Sequence, residues 1–322
     1  MTVMTILQAV TAALDQELKR DKAVLVMGED VGRNGGVFRA TDGLWKKYGG
    51  KRVVDTPLCE SGIVATAIGM AVVGLKPVCE IQFSGFIYDA FEHLASHAAR
   101  VRHRSMGAFS CPLVVRSPYG GGIRALEHHS ESMESIYVHT PGLKVVIPST
   151  PYDAKGLLAA AIRDPDPVVF LEPKRIYRSV KQEVPDDDFV LPLGKAKVVQ
   201  SGSQVTVVSY GATMKTVREA VIGLDVSCEL IDLRTLWPLD EATLLDSVRK
   251  TGRCVVVHEA ARTLGMGAEV VAVINEKAIY DLESPVVRVT GYDTPIPYYQ
   301  LENNYIPSKE RIKDAVNRVL KG

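Results

Sequence analysis

The chain has 322 residues, enough for two domains of ordinary size. Apolar residues make up 46% and charged residues 24%, the balance of a soluble globular protein, and Lys+Arg equal Asp+Glu at 38 each. A formal net charge of zero argues against nucleic-acid or membrane-surface binding driven by bulk charge, and the apolar runs break well short of the ~18 residues of a membrane span.

A neutral surface is a solubility liability, which favours a permanent oligomer. The N-terminus MTVMTILQAV has no basic flank and runs into an amphipathic pattern, so it does not read as a signal peptide. The five cysteines, Cys59, Cys79, Cys111, Cys228 and Cys254, are scattered without a CxxC. They read as small buried hydrophobes in a reducing compartment, and the expected location is the cytoplasm.

Thr5–Arg20 has the helical spacing of Ile6, Ala9, Val10, Ala13, Leu14 and Leu18, with Thr5 as a cap. A short apolar strand, Ala23–Met27, ends in Gly28-Glu29-Asp30 and the glycine-rich loop VGRNGGVF, the kind of strand end where open α/β sheets place function. A second strand, Lys51–Val54, leads into DTPLCESGIVATAIGMAVVG, residues 55–74. Here Pro57 breaks the backbone, Glu60 follows, and an apolar helix rich in Gly and Ala begins. A carboxylate in the first turn of such a helix is a partner of the helix dipole or a working acid. The small residues predict close approach of another helix.

The spacing then predicts a strand over Lys76–Phe83, a long helix over Phe86–Arg104 and a strand over Pro112–Arg116. The Gly120-Gly121-Gly122 loop follows and runs into Glu127-His128-His129-Ser130-Glu131. A histidine pair between glycines and a strand, flanked by two glutamates, is a candidate for acid–base chemistry. Gln82, in an otherwise apolar strand, needs partners, and Phe86 offers a stacking face. Strand Lys144–Ile147, helix Thr150–Arg163 and strand Pro167–Pro173 complete a unit in which strand and helix alternate, so its sheet is expected to be mostly parallel.

The segment 177–193, with Asp186-Asp187-Asp188 and three further breakers or acids, reads as a solvated surface linker. A second α/β unit follows, with strands over Gln204–Gly211, Ser227–Leu233, Cys254–Ala260 and Val286–Gly291 and helices over Thr213–Leu224, Asp240–Lys250, Gly265–Tyr280 and Ser308–Leu320. Gly265-Met266-Gly267 lacks the third glycine of a dinucleotide fingerprint, and neither a P-loop, HExxH nor GxSxG is present. His258-Glu259 reads as a hydrogen-bonded structural pair.

In combination, GEDVGRNGGVF, DTPLCESGI, EIQFSGF, RSPYGGG, EHHSESMES, PGLKVVIPSTPYDAKGLL, VVFLEPKRIYRS, IDLRTLWPLD and GYDTPIP span nearly the whole chain. They resemble the beta subunit of the thiamine-diphosphate-dependent first component of 2-oxo acid dehydrogenases, of the branched-chain and pyruvate types. The resemblance implies an α/β fold of two three-layer domains with mostly parallel sheets. These are a pyrimidine-binding domain over 1–185, a linker over 186–200 and a transketolase C-terminal-like domain over 201–322.

It further implies that Glu60 hydrogen-bonds the ring nitrogen of the cofactor's aminopyrimidine and favours its imino tautomer. Leu58, Gln82 and Phe86 would line that ring, and His129 would serve proton transfer as an acyl group passes to the lipoyl group of an acyltransferase second component. No GDG motif is present, so the implied magnesium and diphosphate would sit on an alpha subunit, in a heterotetramer of two alpha and two beta chains. The positions matching a structural potassium site are Cys111, Leu113, Val114, Ala161, Asp164 and Asp166. The resemblance favours branched-chain 2-oxo acids through GYDTPIPY, with pyruvate as the alternative through QFSGF. More distant alternatives are a self-sufficient transketolase-like or deoxyxylulose-phosphate-synthase-like enzyme, against which the missing diphosphate motif counts, and a non-catalytic scaffold subunit.

Overall fold

The structure, a computed structural model, describes residues 1–321. In chain order the first half supplies strands β1 (Thr2–Thr5), β2 (Val24–Gly28), β3 (Val53–Asp55), β4 (Lys76–Glu80), β5 (Val114–Tyr119), β6 (Lys144–Val146), β7 (Val168–Pro173) and β8 (Lys181–Val184). The second half adds β9 (Lys197–Gln200), β10 (Val205–Ser209), β11 (Cys228–Asp232), β12 (Thr235–Trp237), β13 (Cys254–Val257) and β14 (Val287–Val289).

They form a two-stranded sheet of β1 and β8 and two larger ones: the first seven-stranded, of order β12-β6-β7-β5-β4-β2-β3, the second five-stranded, of order β14-β13-β10-β11-β9. The first is parallel except for β12 and the second is parallel except for β9. The central strands are buried along their whole length, as near-continuous apolar runs covered on both faces should be. One apolar cluster runs from Leu25 and Ile63 through Val115, Tyr137 and Leu171 to Val208, Leu236 and Val256, so the two sheets share a core.

Helix Ile6–Arg20 starts in a capping box: Thr5 accepts the Gln8 N–H and the Gln8 side chain accepts the Thr5 N–H. Helices Pro151–Arg163, Glu241–Thr251 and Lys309–Leu320 start at Thr150, Asp240 and Ser308, each accepting a first-turn N–H.

Three expectations are corrected. The single helix over 86–104 is instead a 3₁₀ turn (Ser84–Phe86), an α-helix (Ile87–Glu92), a π-helical turn (His93–His97), a second 3₁₀ turn (Ala98–Arg100) and a last α-turn (Val101–Arg104). The break falls where Gly142 packs on the Ala99 carbonyl so closely that a side chain there would collide. Second, the stretch expected as a surface linker is tied down at both ends. Strand β8 pairs with β1, and β9 forms the edge of the five-stranded sheet inside the 186–200 span. The acidic run is bound rather than merely solvated: Lys155 Nζ donates to the carbonyls of Pro185, Asp186 and Asp187, and Asp188 pairs with Arg163. Third, four cysteines are buried but Cys59 is exposed. Burial pushes the Cys228 thiol up to about 11 and those of Cys111 and Cys254 up to about 12, which keeps them protonated.

Among the described residues, no helix is long and apolar enough to cross a membrane.

Candidate functional site

Gly28, Asp55 and Glu80 lie opposite one another at the C-terminal ends of β2, β3 and β4, and Glu80 lies opposite Arg116 of β5. The loops that leave these ends carry most of the residues singled out from sequence, as expected for a parallel sheet. Asp55 ties two of them together by accepting the Gly32 N–H at 2.5 Å and the Arg33 N–H at 3.2 Å. A Cβ on Gly32 would fall on that carboxylate, so the close approach requires glycine.

Glu60 is the first residue of helix Glu60–Val72, and its side chain is half-buried. The helix starts without a side-chain cap, so its first-turn N–H groups find other acceptors: Ser61 N–H donates to Asp89 Oδ2 at 3.1 Å. This fastens the Glu60 helix to the helix that follows Phe86. Glu29, from the glycine-rich loop, faces Glu60. Burial first, then the Asp30 and Glu60 charges, push its carboxyl above the ordinary value. Ile63, Val64, Ala67 and Ala71 are buried, whereas Gly62, Ala65, Thr66 and Gly69 form an exposed stripe.

An aromatic group stands beside this carboxylate loop. His129 packs edge-on against Phe83 at 4.3 Å and Phe86 at 5.4 Å between ring centroids, and Phe83 also touches Phe38 at 5.5 Å. The histidine loop is seated on the Phe86 turn by Ser84 Oγ, which donates to the Glu131 carbonyl at 3.0 Å, and by Gly85, where any Cβ would strike the His128 carbonyl. His129 is half-buried and its Nδ1 has no partner among the described residues; His128 is exposed. Gln82 is half-buried, and Leu58 is 71% exposed, its apolar side chain standing off the chain's own surface. The structure thus brings His129 and Phe86 into contact and links Glu60 to their support, while leaving Leu58 uncovered.

Beneath the site lies an ionic network not identified from sequence. Arg116, 1% exposed, is bidentate to Glu172 at 2.7 and 2.9 Å and also pairs with Glu80; Tyr177 donates to Glu172 at 2.5 Å. Coulombic contact with Glu172 and Glu80 outweighs burial and holds the guanidinium charged. The signal was present as a polar residue in each of three apolar strands, EIQF, VVRS and VVFLEP, each ambiguous alone.

A second buried carboxyl lies between the domains. Tyr210 donates to Glu134 at 2.7 Å, the other Glu134 oxygen has no partner, and burial pushes the carboxyl up to about 7. Asp232, buried near Asp153, is likewise pushed up to about 7. Because the folded value lies above the unfolded 4.5, the folded state keeps a proton that the unfolded chain releases. Stability from Glu134 is therefore present below pH ~4.5 and lost as pH rises to ~7. Glu134→Gln is expected to raise the unfolding free energy at pH 8 relative to wild type, on the order of 3 kcal/mol, and to change it little at pH 4. Paired urea titrations at the two pH values measure this; an equal shift at both would contradict it.

One expectation fails at this level. His258 and Glu259 do not pair: Glu259 accepts the Gly121 N–H, while burial lowers the His258 ring to about 4 and keeps it neutral against Gly265 and Gly267. The potassium positions fit a cation poorly. The carbonyls of Cys111, Leu113 and Ala161 already accept backbone N–H groups. The Asp164 carboxylate is taken by the Lys144 ammonium at 2.7 Å, and Asp166 by Arg102 at 2.6 Å. Lys144 supplies the positive charge there. For a pyrimidine the fit is better: a carboxylate at a helix start and an aromatic wall with an unpartnered ring nitrogen.

Comparison with known proteins places the whole chain. The family description "Transketolase, pyrimidine binding domain" matches residues 2–180, and "Transketolase, C-terminal domain" matches residues 194–312. The chain is 53% identical over 324 residues to the pyruvate dehydrogenase E1 component subunit beta of Acholeplasma laidlawii, covering 100% of this chain and 99% of that one. It is 50% identical over 323 residues to the protein of the same name from Bacillus subtilis (strain 168), covering 99% of each. Among solved structures it resembles a split-gene transketolase described as an inactive beta4 tetramer, with a TM-score of 0.81 over 99% of this chain and 98% of that one. At 21% identity that likeness bears on the fold alone.

Proposed function

From the premise that the chain belongs to the beta subunits of thiamine-diphosphate-dependent 2-oxo acid dehydrogenases, we propose that it forms, with an alpha subunit, the decarboxylating component of a pyruvate dehydrogenase. The observation that carries the choice of substrate is full-length identity of about half to relatives bearing that name, which outweighs the branched-chain leaning of GYDTPIPY.

The site supports the reading as half of a cofactor site. Thiamine diphosphate, when bound, supplies an electron sink for loss of carbon dioxide from the 2-oxo acid. Glu60 would hold the pyrimidine ring through a charge-assisted hydrogen bond, stronger once the site is closed from water. Phe86 and Gln82 orient the ring, and Leu58 gains cover when the site is completed. His129 moves a proton during acyl transfer. One sulfur of the lipoyl disulfide takes the acyl group and the other a proton, so the acid's two-electron oxidation is balanced by reduction of that disulfide. Magnesium belongs with the diphosphate on the alpha chain. The stripe of Gly62, Ala65, Thr66 and Gly69 is the face on which another subunit's helix packs, in an assembly of two alpha and two beta chains serving a lipoyl-bearing acyltransferase. No step is assigned to potassium.

The assembled enzyme, given thiamine diphosphate, magnesium and a lipoyl domain, is expected to turn over pyruvate with a kcat/KM at least about 10-fold above that for 3-methyl-2-oxobutanoate. Each extra methylene in a fitted pocket is worth roughly 1–3 kcal/mol. A preference for the branched acid would restore the other substrate reading, and turnover by this chain alone would refute the divided site.

A further inference from the structure

The loop that carries His129 leaves the first domain at Tyr119 but is held by the second. Gly120 N–H donates to the Glu131 carbonyl at 2.9 Å, which closes residues 120–131 into a loop with a narrow neck. At that neck three side chains from outside the loop take up its backbone groups. Lys174 Nζ donates to the Gly120 carbonyl, and Glu259 Oε1 accepts the Gly121 N–H. Glu302 accepts the Gly122 N–H at 2.5 Å through Oε1 and the Arg124 N–H at 2.8 Å through Oε2.

The triglycine makes this grip attainable. A Cβ on Gly121 would crowd Ile306 and Ile296 of the second domain at 3.1 and 3.2 Å, and one on Gly122 would run into the Arg175 side chain at 2.5 Å. Gly122 also has φ of +107°, which side chains rarely adopt. Glu302 is 1% exposed and Glu259 5% exposed. Such buried carboxylates require compensation, and the loop's N–H groups together with the neighbouring Lys174 provide it. Beyond Arg124, Leu126 and His128 are exposed, so outside this grip the loop is held mainly by the Phe86 turn.

We propose that Glu302 and Glu259 are positioning residues for His129: two carboxylates of the second domain that grip the triglycine turn and fix where the histidine stands during acyl transfer to lipoyl. This rests on the proton-transfer reading of His129. On that reading lipoyl acylation requires His129 to be placed and decarboxylation does not, which separates positioning from a merely structural role.

The test compares Glu302→Gln, Glu302→Ala and His129→Ala in the assembled alpha–beta enzyme. Three rates are read: pyruvate oxidation with an electron-accepting dye in place of lipoyl, acylation of a free lipoyl domain, and backbone amide exchange over residues 120–131 and over β7. The Gln variant keeps one acceptor oxygen, uncharged, and sets an NH2 donor where the other carboxylate oxygen met a backbone N–H. It is expected to raise exchange in 120–131 about 10-fold and lower lipoyl acylation about 10-fold, with the dye rate within about 2-fold and β7 exchange unchanged. The alanine variant is expected to move further the same way. If it does not assemble, Glu302→Gln and Glu259→Gln carry the comparison.

If His129→Ala shows the acylation defect and Glu302→Gln does not, the proposal is wrong and the reading of His129 stands. It is equally overturned if Glu302→Gln lowers both rates together. If His129→Ala acylates lipoyl normally, the reading of the histidine fails and takes the positioning role with it.

Discussion

Glu60→Gln in the assembled enzyme is expected to lower pyruvate decarboxylation by roughly 10²–10⁴-fold, the scale of losing one positioned acid–base group. Glutamine keeps the shape and can still meet a ring nitrogen, but it cannot bear the negative charge that draws a proton onto that nitrogen. The loss should fall on kcat more than on KM for pyruvate, because in the proposed role the carboxylate addresses the cofactor and not the acid. Stability should hardly move: Glu60 is half-buried, its side chain has no hydrogen-bonded partner among the described residues, and substitutions of such groups usually stay within about 0.5 kcal/mol. Dye-linked kinetics beside a thermal melt separates the two effects. A variant with wild-type turnover would remove Glu60 from the mechanism.

The second large effect is expected from Arg116. Arg116→Met removes the cation between Glu80 and Glu172 and leaves two buried carboxylates facing each other across strands β4, β5 and β7. Breaking a buried ion pair from one side costs about 3–5 kcal/mol, because the remaining charge has no compensation. The stranded groups can escape by taking up protons, so the defect should shrink in acid: severe at pH 8 and mild near pH 5. Denaturant melts across that range check the sign. A pH-independent loss would mean that packing, and not charge, is what Arg116 supplies. Tyr177, which donates to Glu172, should soften the loss rather than abolish it.

Much of this architecture is legible in the sequence because apolar runs and caps are local. The capping box at Thr5 and Gln8, the caps at Thr150 and Ser308 and the buried runs VLVM and VTVV report on their own segments. The family motifs likewise single out Glu60 and His129 as the residues of the proposed site. What was not legible depends on encounters between distant segments. Nothing near Arg116 says that Glu80 and Glu172 will flank it, since strand order is set by the whole sheet. The broken helix over 84–104 reflects a turn around Gly142 pressing on Ala99. The 186–188 acids look solvated until Lys155 is placed beneath them. Gly156 held a hint, since a side chain there would strike Phe189 and Leu191. Leu58 shows the limit from the other direction: the motif singles it out, yet within this chain it stands 71% exposed.

Strand β12 has a consequence for how the chain can be cut and recombined. It belongs to the second half in sequence but completes the first half's sheet, with Thr235 opposite Val146 and Trp237 opposite Val145. An N-terminal fragment ending near residue 190 would therefore present the raw edge of β6, three residues whose Val145 and Val146 are fully buried in the intact chain. Unpaired apolar edges recruit other strands, so such a fragment is a seed for aggregation and not an independent module. The two halves look like separable cassettes in the order of their elements, yet they are interlocked by an exchanged strand. Duplication or shuffling of either one in evolution would have had to bring this strand along.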